Sequence, residues 1–361
     1  MAKKAKKEKV SSSFEEIRGT FSAQWGEGSI MSLSDNWRAK CEVIPSQSIS
    51  LDHAMGVGGF PRGRIVEIYG PEASGKTTLA LHAVASAQKL GGKAAFIDAE
   101  HALSPALMID MGVDPERTLV SQPDCGEQAL EMCELLVESN SVDVVVIDSV
   151  AALTPLAELE GEVGKNVIGA QAKMMSQFLR RIAAKVKKGK CTVIFINQIR
   201  HKIGVMFGSP ETTPGGNALK FYCSIRLDIR RRQQMKDGDN IIGHEARVKV
   251  IKNKVAVPFK VADVPLIYGK GIDYVGDILK MAAKYDVVTA KGSHYSYGEH
   301  KLGNGVVVAS SFLKENMDIT DKIEADLREV LFPESELVDE PPKDAEDKDT
   351  DENLDSVLNG E

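Results

Sequence analysis

Residues 64–90 read RIVEIYGPEASGKTTLALHAVASAQKL, and this stretch decides the fold. Arg64–Tyr69 is rich in β-branched and aromatic residues, the composition of a strand. Gly75–Leu90 has the length and the alanine and leucine content of a helix, and Gly91-Gly92 stops it. Between them, Gly70-Pro71-Glu72-Ala73-Ser74-Gly75-Lys76-Thr77 fits G-x-x-x-x-G-K-[ST] in the strand–helix context that the motif requires. Glycines let the backbone close around phosphates, so that N–H groups and a helix N-terminus face the anion. Lys76 adds a point charge near the β- and γ-phosphates, and the Thr77 hydroxyl can ligate Mg²⁺. Residues Gly70–Thr77, with Thr78 behind them, are the expected site for ATP and its Mg²⁺.

Outward from this unit the chain keeps alternating. Strands are expected at Ala94–Asp98, Val142–Asp148 and Cys191–Asn197, with helices near Gly126–Ser139 and Ala170–Lys187. Those strands are almost continuously apolar, as when helices cover both faces of a parallel sheet. Ser224–Arg230 and Glu245–Lys252 mix polar and apolar residues and fit an antiparallel extension. The class is therefore α/β, with sites expected at the carboxyl ends of the strands. After Gly269-Lys-Gly271 the character changes. The expected plan is an N-terminal segment 1–37, a core 38–273, a small α+β module 274–333 with helices near Val275–Tyr285 and Asp321–Leu331, and an acidic tail 334–361. Low apolar content and dense charge predict disorder in that tail.

The N-terminus, Met1–Val10, is basic without an apolar stretch behind it, so it does not read as a secretory signal. Residues 1–10 are expected to be mobile, and a short helix follows. Ser12 or Ser13 can cap it, and Phe14, Ile17 and Phe21 share one face. So short a helix is marginal in water, and its apolar face needs a partner in its own core or on a neighbouring subunit.

Charge and cysteine content narrow the function classes. The net charge is −7, but residues 334–361 hold 12 Asp or Glu and 2 Lys, which leaves +3 on the other 333 residues. A slightly basic body is compatible with DNA, and the tail either aids solubility or competes with DNA for cationic surface. No apolar run approaches the roughly 20 residues of a membrane span. The five cysteines (Cys41, Cys125, Cys133, Cys191, Cys223) are scattered and odd in number, which argues for reduced thiols in a cytoplasmic protein and against a disulfide or zinc framework.

Two carboxylates end strands beside the loop. Asp148 stands where a Mg²⁺-coordinating acid sits, although turns also favour Asp. Glu100 can orient and deprotonate the water that attacks the γ-phosphate, or it is a surface carboxylate in a turn. Asp98 can equally be structural.

These segments, together with Asn197–Gly208 (NQIRHKIGVMFG) and Pro214–Phe221 (PGGNALKF), resemble the bacterial RecA recombinases. The likeness runs from about Gly28 to Lys254 and more loosely to Leu331, and it lacks the four-cysteine zinc module of some repair relatives. It implies a RecA-type P-loop ATPase core. Its catalytic residues would be Glu100, Lys76 and the γ-phosphate sensor Gln198. Two DNA-binding loops are implied, Glu158–Gly169 with Ile168 and Ile199–Thr213 with Arg200, Lys202 and Ile203. Lys173 and Arg180 on the helix after the first loop, and Gly215 and Gly216 after the second, join the implied DNA surface. From the residues alone both loops read as flexible surface loops rather than as DNA-binding ones. Lys252 and Lys254 match lysines that reach ATP on the adjacent protomer, Phe221 matches an interface residue, and residues 12–37 match the segment that packs on a neighbour. One departure is that Ser104 and Leu107 stand where many relatives carry an Asp and a Tyr against the adenine. The implied partners are single- and double-stranded DNA, further copies of the chain in a filament, a LexA-type repressor and loading mediators, with no membrane. A ring-forming helicase or a non-exchanging regulatory paralogue would use the same core.

Overall fold

The computed structural model describes residues 2–26, 29–30, 41–162, 169–201 and 210–333. Residues 39–331 form one compact unit. Its centre is a nine-stranded sheet in the order Gly271–Ile272, Val261–Ile267, Asn240–Asn253, Ile225–Asp237, Ile65–Gly70, Thr192–Gln198, Val144–Asp148, Ala94–Asp98, Thr118–Ser121. The six from Ile225–Asp237 to Thr118–Ser121 run parallel, and the other three extend the sheet antiparallel.

Alternation within the strands builds two cores. Val66, Ile68, Val146, Ile194 and Ile196 face one side, where the helix Lys76–Lys89 covers them with Leu79, Ala80, Ala83 and Val84. Ile65, Val145, Ile147, Val193 and Phe195 face the other, against Leu130, Cys133 and Val137 of Gly126–Glu138 and Met175, Leu179 and Ile182 of Ala170–Lys188. The strands Ile65–Gly70, Ala94–Asp98, Val144–Asp148 and Thr192–Gln198 are buried on both faces, which is why the sequence shows apolar runs there rather than alternation, while the edge strand Thr118–Ser121 leaves Leu119 and Val120 exposed.

Several boundaries differ from the expected ones. The hairpin Ile225–Asp237/Asn240–Asn253 is longer, because register shifts after Arg226, Arg231 and Met235 carry pairing into a polar stretch. The C-terminal module also holds the sheet Thr289–Lys291/His294–Tyr297/His300–Asn304 and a helix Val306–Glu315 that the sequence did not announce. Val306, Val307 and Val308 disfavour a helix by propensity, yet Leu313 and Ala309 bury its other face. The N-terminal helix is the plainest correction. It runs unbroken over Ala2–Trp25, so residues 2–10 are helical and Ser12 and Ser13 lie inside the helix instead of capping it. Lys and Ala at seven of its first eight positions are good helix formers. Phe14, Ile17 and Trp25 are exposed, and Phe21 packs on Trp25 with ring centroids 4.9 Å apart and the planes tilted by 53°. The tail 334–361 lies outside the described residues.

Two acids are buried where the helix Tyr274–Lys284 meets Ile49–Met55. Asp52 accepts from the Ser46 amide at 2.9 Å, and Asp277 accepts from the Ser48 hydroxyl at 2.7 Å and the Ser50 amide at 3.1 Å. Burial pushes Asp52 up to about 7 against its Ser46 contact and the Arg328 guanidinium, and raises Asp277 as well. The folded state thus binds a proton more tightly than the unfolded chain does. The stability that this contributes is full below the unfolded value near 4 and is lost as pH rises through about 7, at most about 4 kcal/mol. Thermal melts should show Asp52→Asn gaining on the parent between pH 5 and pH 8, whereas a constant offset would contradict this account.

Candidate active site

The phosphate loop is shaped by contacts only glycine permits. A Cβ on Gly70 would lie 2.1 Å from the Ile229 carbonyl oxygen of the adjacent strand, and one on Gly75, at φ +98°, would lie 2.3 Å from Leu266 Cδ1. The Ser74 hydroxyl donates to the Pro71 carbonyl at 2.8 Å and ties the loop across itself. Pro71, Glu72 and Ala73 are exposed, while Ser74 is buried and Thr77 and Thr78 are half-buried. No side chain caps the helix that begins at Lys76, so its first amides and its positive dipole end are left for an anion. Lys76 Nζ donates to the Pro71 carbonyl at 2.7 Å. Burial lowers the Lys76 pKa, and the charges of Asp148, Glu100 and Glu72 oppose that shift.

Parallel pairing brings the acids together. Asp98 and Asp148 are register partners at the carboxyl ends of adjacent strands. Thr77 Oγ1 donates to Asp148 Oδ2 at 2.7 Å. Burial pushes Asp148 up to about 6, opposed by the Thr77 contact and by Lys76. A hydroxyl and a carboxylate so placed are hard oxygen donors of the kind a small divalent cation takes, with waters completing its shell. Asp98 proves structural: it accepts from the amides of Ala102 and Leu103, at 3.3 and 3.1 Å, and from Gln122 Nε2 at 3.0 Å. That locks the turn that presents Glu100. Glu100 Oε1 accepts from the Ser149 hydroxyl and from Gln198 Nε2, the latter at 2.9 Å. Ser149 joins this site without a sequence signal beyond its place after a strand-end Asp.

Gln198 ends its strand, and the chain turns at once into a short pairing of Arg200–His201 with Glu211–Thr212. Arg200 is exposed there, whereas Lys202 and Ile203, like Ile168 of the first loop, lie outside the described residues. Lys173 and Arg180 are exposed and seven residues apart, which puts them on one face of Ala170–Lys188. Arg181 is bound to Glu134 at 2.6 Å instead. Gly215 and Gly216 have a packing role, because Cβ atoms there would meet Val150 Cγ1 at 2.8 Å and Ala172 Cβ at 2.7 Å, and Gly215 is buried.

Lys252 and Lys254 stand apart from the loop of their own chain. Lys252 Nζ donates to the Lys220 and Phe221 carbonyls at 2.6 and 3.0 Å, and Lys254 Nζ to the Phe221 carbonyl at 3.1 Å. The Lys254 amide reaches Ser224, whose amide reaches Ile65, at the start of the strand whose far end is Gly70. Five strand residues span about 17 Å. Phe221 is 71% exposed beside them. Ser104 caps the helix Pro105–Asp110 by accepting from the Leu107 amide, and Leu107 packs on the first core.

With this geometry in place, the comparisons with known proteins are direct. Residues 10–273 match the RecA N-terminal domain and residues 276–331 the RecA C-terminal domain. The Protein RecA of Bacillus pumilus is 55% identical over 306 residues, 85% of this chain and 88% of that protein. The Protein RecA of Treponema denticola is 58% identical over 312 residues, 86% of this chain and 75% of that protein. Among solved structures, a RadB recombinase aligns with a TM-score of 0.48 at 24% identity, over 64% of this chain and 98% of that one. The chain belongs to the RecA family of recombinases, which are DNA-dependent ATPases.

Proposed function

We propose that the chain hydrolyses ATP at Gly70–Thr78 with Mg²⁺ held by Thr77 and Asp148, and that loops at 158–169 and 199–213 read the outcome on DNA. The observation that carries this is the 2.9 Å hydrogen bond from Gln198 Nε2 to Glu100 Oε1. It joins the carboxylate that would take a proton from the attacking water to the residue from which the second loop departs. Lys76 exchanges the Pro71 carbonyl for a phosphate oxygen. Gln198, whose amide can donate to the γ-phosphate instead of to Glu100, shifts the loop as it turns. Mg²⁺ would supply charge neutralisation for the phosphates. Lys173, Arg180 and Arg200 offer cations for the DNA backbone, and the proposed insertion of Ile168 and Ile203 between base steps completes the contact.

Single chains are incomplete in this scheme. Lys254, about 17 Å along the strand direction from its own loop, and Lys252, about 10 Å along it and two strands across, serve the ATP of an adjacent protomer. The exposed stripe Phe14, Ile17 and Trp25 and the exposed Phe221 supply apolar surface for that contact. The product is a filament on single-stranded DNA that pairs with homologous duplex and exchanges strands in the cytoplasm, and that engages a LexA-type repressor and loading mediators. No described helix is long and apolar enough to cross a membrane.

The test is ATP turnover with and without single-stranded DNA, in the parent and in Lys76→Ala. The parent should be stimulated by DNA, and Lys76→Ala should lose about 10²-fold or more of that rate. A parent indifferent to DNA would reject the reading.

A further inference from the structure

Glu67 lies fully buried in the middle of the strand that leads into the phosphate loop. A carboxylate so placed persists only with strong partners. Its Oε2 accepts from Arg226 Nε at 2.5 Å on one neighbouring strand, and its Oε1 accepts from Asn197 Nδ2 at 2.9 Å on the other. Arg226 also lies over the Tyr69 ring, 4.7 Å from its centroid. Burial alone would lower the Arg226 pKa, and the Glu67 charge outweighs it, so the guanidinium is raised.

Asn197 spends its remaining groups on the loop 199–213. Its Nδ2 donates also to the Pro214 carbonyl at 3.1 Å, and its Oδ1 accepts from the Gln198 amide at 3.0 Å. Gln198 precedes that loop and Pro214 follows it, so one side chain clasps both ends. On the other side Arg226 is the register partner of Lys252, whose amine holds the Lys220 and Phe221 carbonyls.

We propose that Glu67 is a positioning residue, the centre of a row Lys252–Arg226–Glu67–Asn197 that crosses four strands and links the exposed Phe221 edge to both ends of the loop 199–213. It touches neither nucleotide nor DNA. The proposal rests on the reading of Gln198, Lys252 and Phe221 given above and adds a route through the interior of the sheet. With no solvent to replace a partner, Glu67 follows whichever partner moves, and Asn197 passes the shift to the loop ends. A neighbour seated at Phe221 thereby biases the loop, in addition to any signal passing through Glu100 and Gln198.

The experiment compares ATP turnover of the full chain with and without single-stranded DNA in Glu67→Gln, Glu67→Asp and Arg226→Lys, beside thermal melts. Glu67→Asp keeps the charge for Arg226 while drawing the oxygen away from Asn197, and serves if Glu67→Gln fails to fold. The expected result is DNA-free turnover and KM for ATP within about twofold of the parent, with the stimulation ratio lowered about fivefold or more. A folded variant whose two rates fall together, leaving the ratio at the parent value, overturns the proposal and leaves Glu67 a structural ion pair. A parent whose turnover ignores DNA overturns the reading of the site instead.

Discussion

Glu100→Gln is expected to slow DNA-stimulated ATP turnover by about 10²- to 10⁴-fold, the range of a lost general base. The substitution is close to isosteric. The amide oxygen can still accept from the Ser149 hydroxyl and from Gln198 Nε2, the two contacts that Glu100 Oε1 makes. Asp98 still holds the turn through the Ala102 and Leu103 amides, so the side chain remains in place. What disappears is the capacity to take a proton. Binding of ATP and of single-stranded DNA should therefore survive, and the ATP-bound filament should persist longer because its turnover has stopped. Turnover and DNA retention measured on one preparation check both halves. A loss below about tenfold, or a parallel loss of DNA binding, would mean that Glu100 only stabilises its turn.

The parts of this site legible in the sequence were those set by local rules. Strand, glycine loop and helix occur in one 27-residue stretch, and backbone geometry there demands residue types that announce themselves. Asp148 and Glu100 could be placed because parallel strands bring their carboxyl ends to one edge. Glu67, Asn197 and Ser149 could not. Each is a single polar residue whose meaning depends on a partner up to 159 positions away, as Arg226 is from Glu67. The family resemblance marked Lys252 and Lys254, but their spacing from the loop becomes evident only from the sheet register, Lys254 through Ser224 on Ile65 and Lys252 through Arg226 on Glu67. The extent of the N-terminal helix was misjudged for a different reason. A basic run reads as a solvated tail, yet Ala and Lys are strong helix formers, and here propensity prevails.

The proposed placement of Lys252 and Lys254 on a neighbour's nucleotide predicts the outcome of a mixing experiment. Lys76→Ala removes the loop cation, and the double substitution Lys252→Ala/Lys254→Ala removes the two cations that lie two strands across, below the loop. Each protein alone should lose about 10²-fold or more of its DNA-stimulated turnover, the effect of deleting a group that stabilises charge on a transferring phosphoryl. If the lysines acted on their own chain's nucleotide, every chain in a mixture would carry a fatal defect and the mixture would stay inactive. In a head-to-tail assembly, a chain with an intact loop can instead meet a neighbour with intact lysines. At equal proportions about one interface in four is then whole, so turnover should recover to roughly a quarter of the parent's. Dilution below the assembly concentration should abolish the recovery, since on the proposed reading a complete site would exist only between chains. A mixture that stays inactive despite forming mixed filaments would return Lys252 and Lys254 to a local duty, holding the Lys220 and Phe221 carbonyls at the end of their short helix.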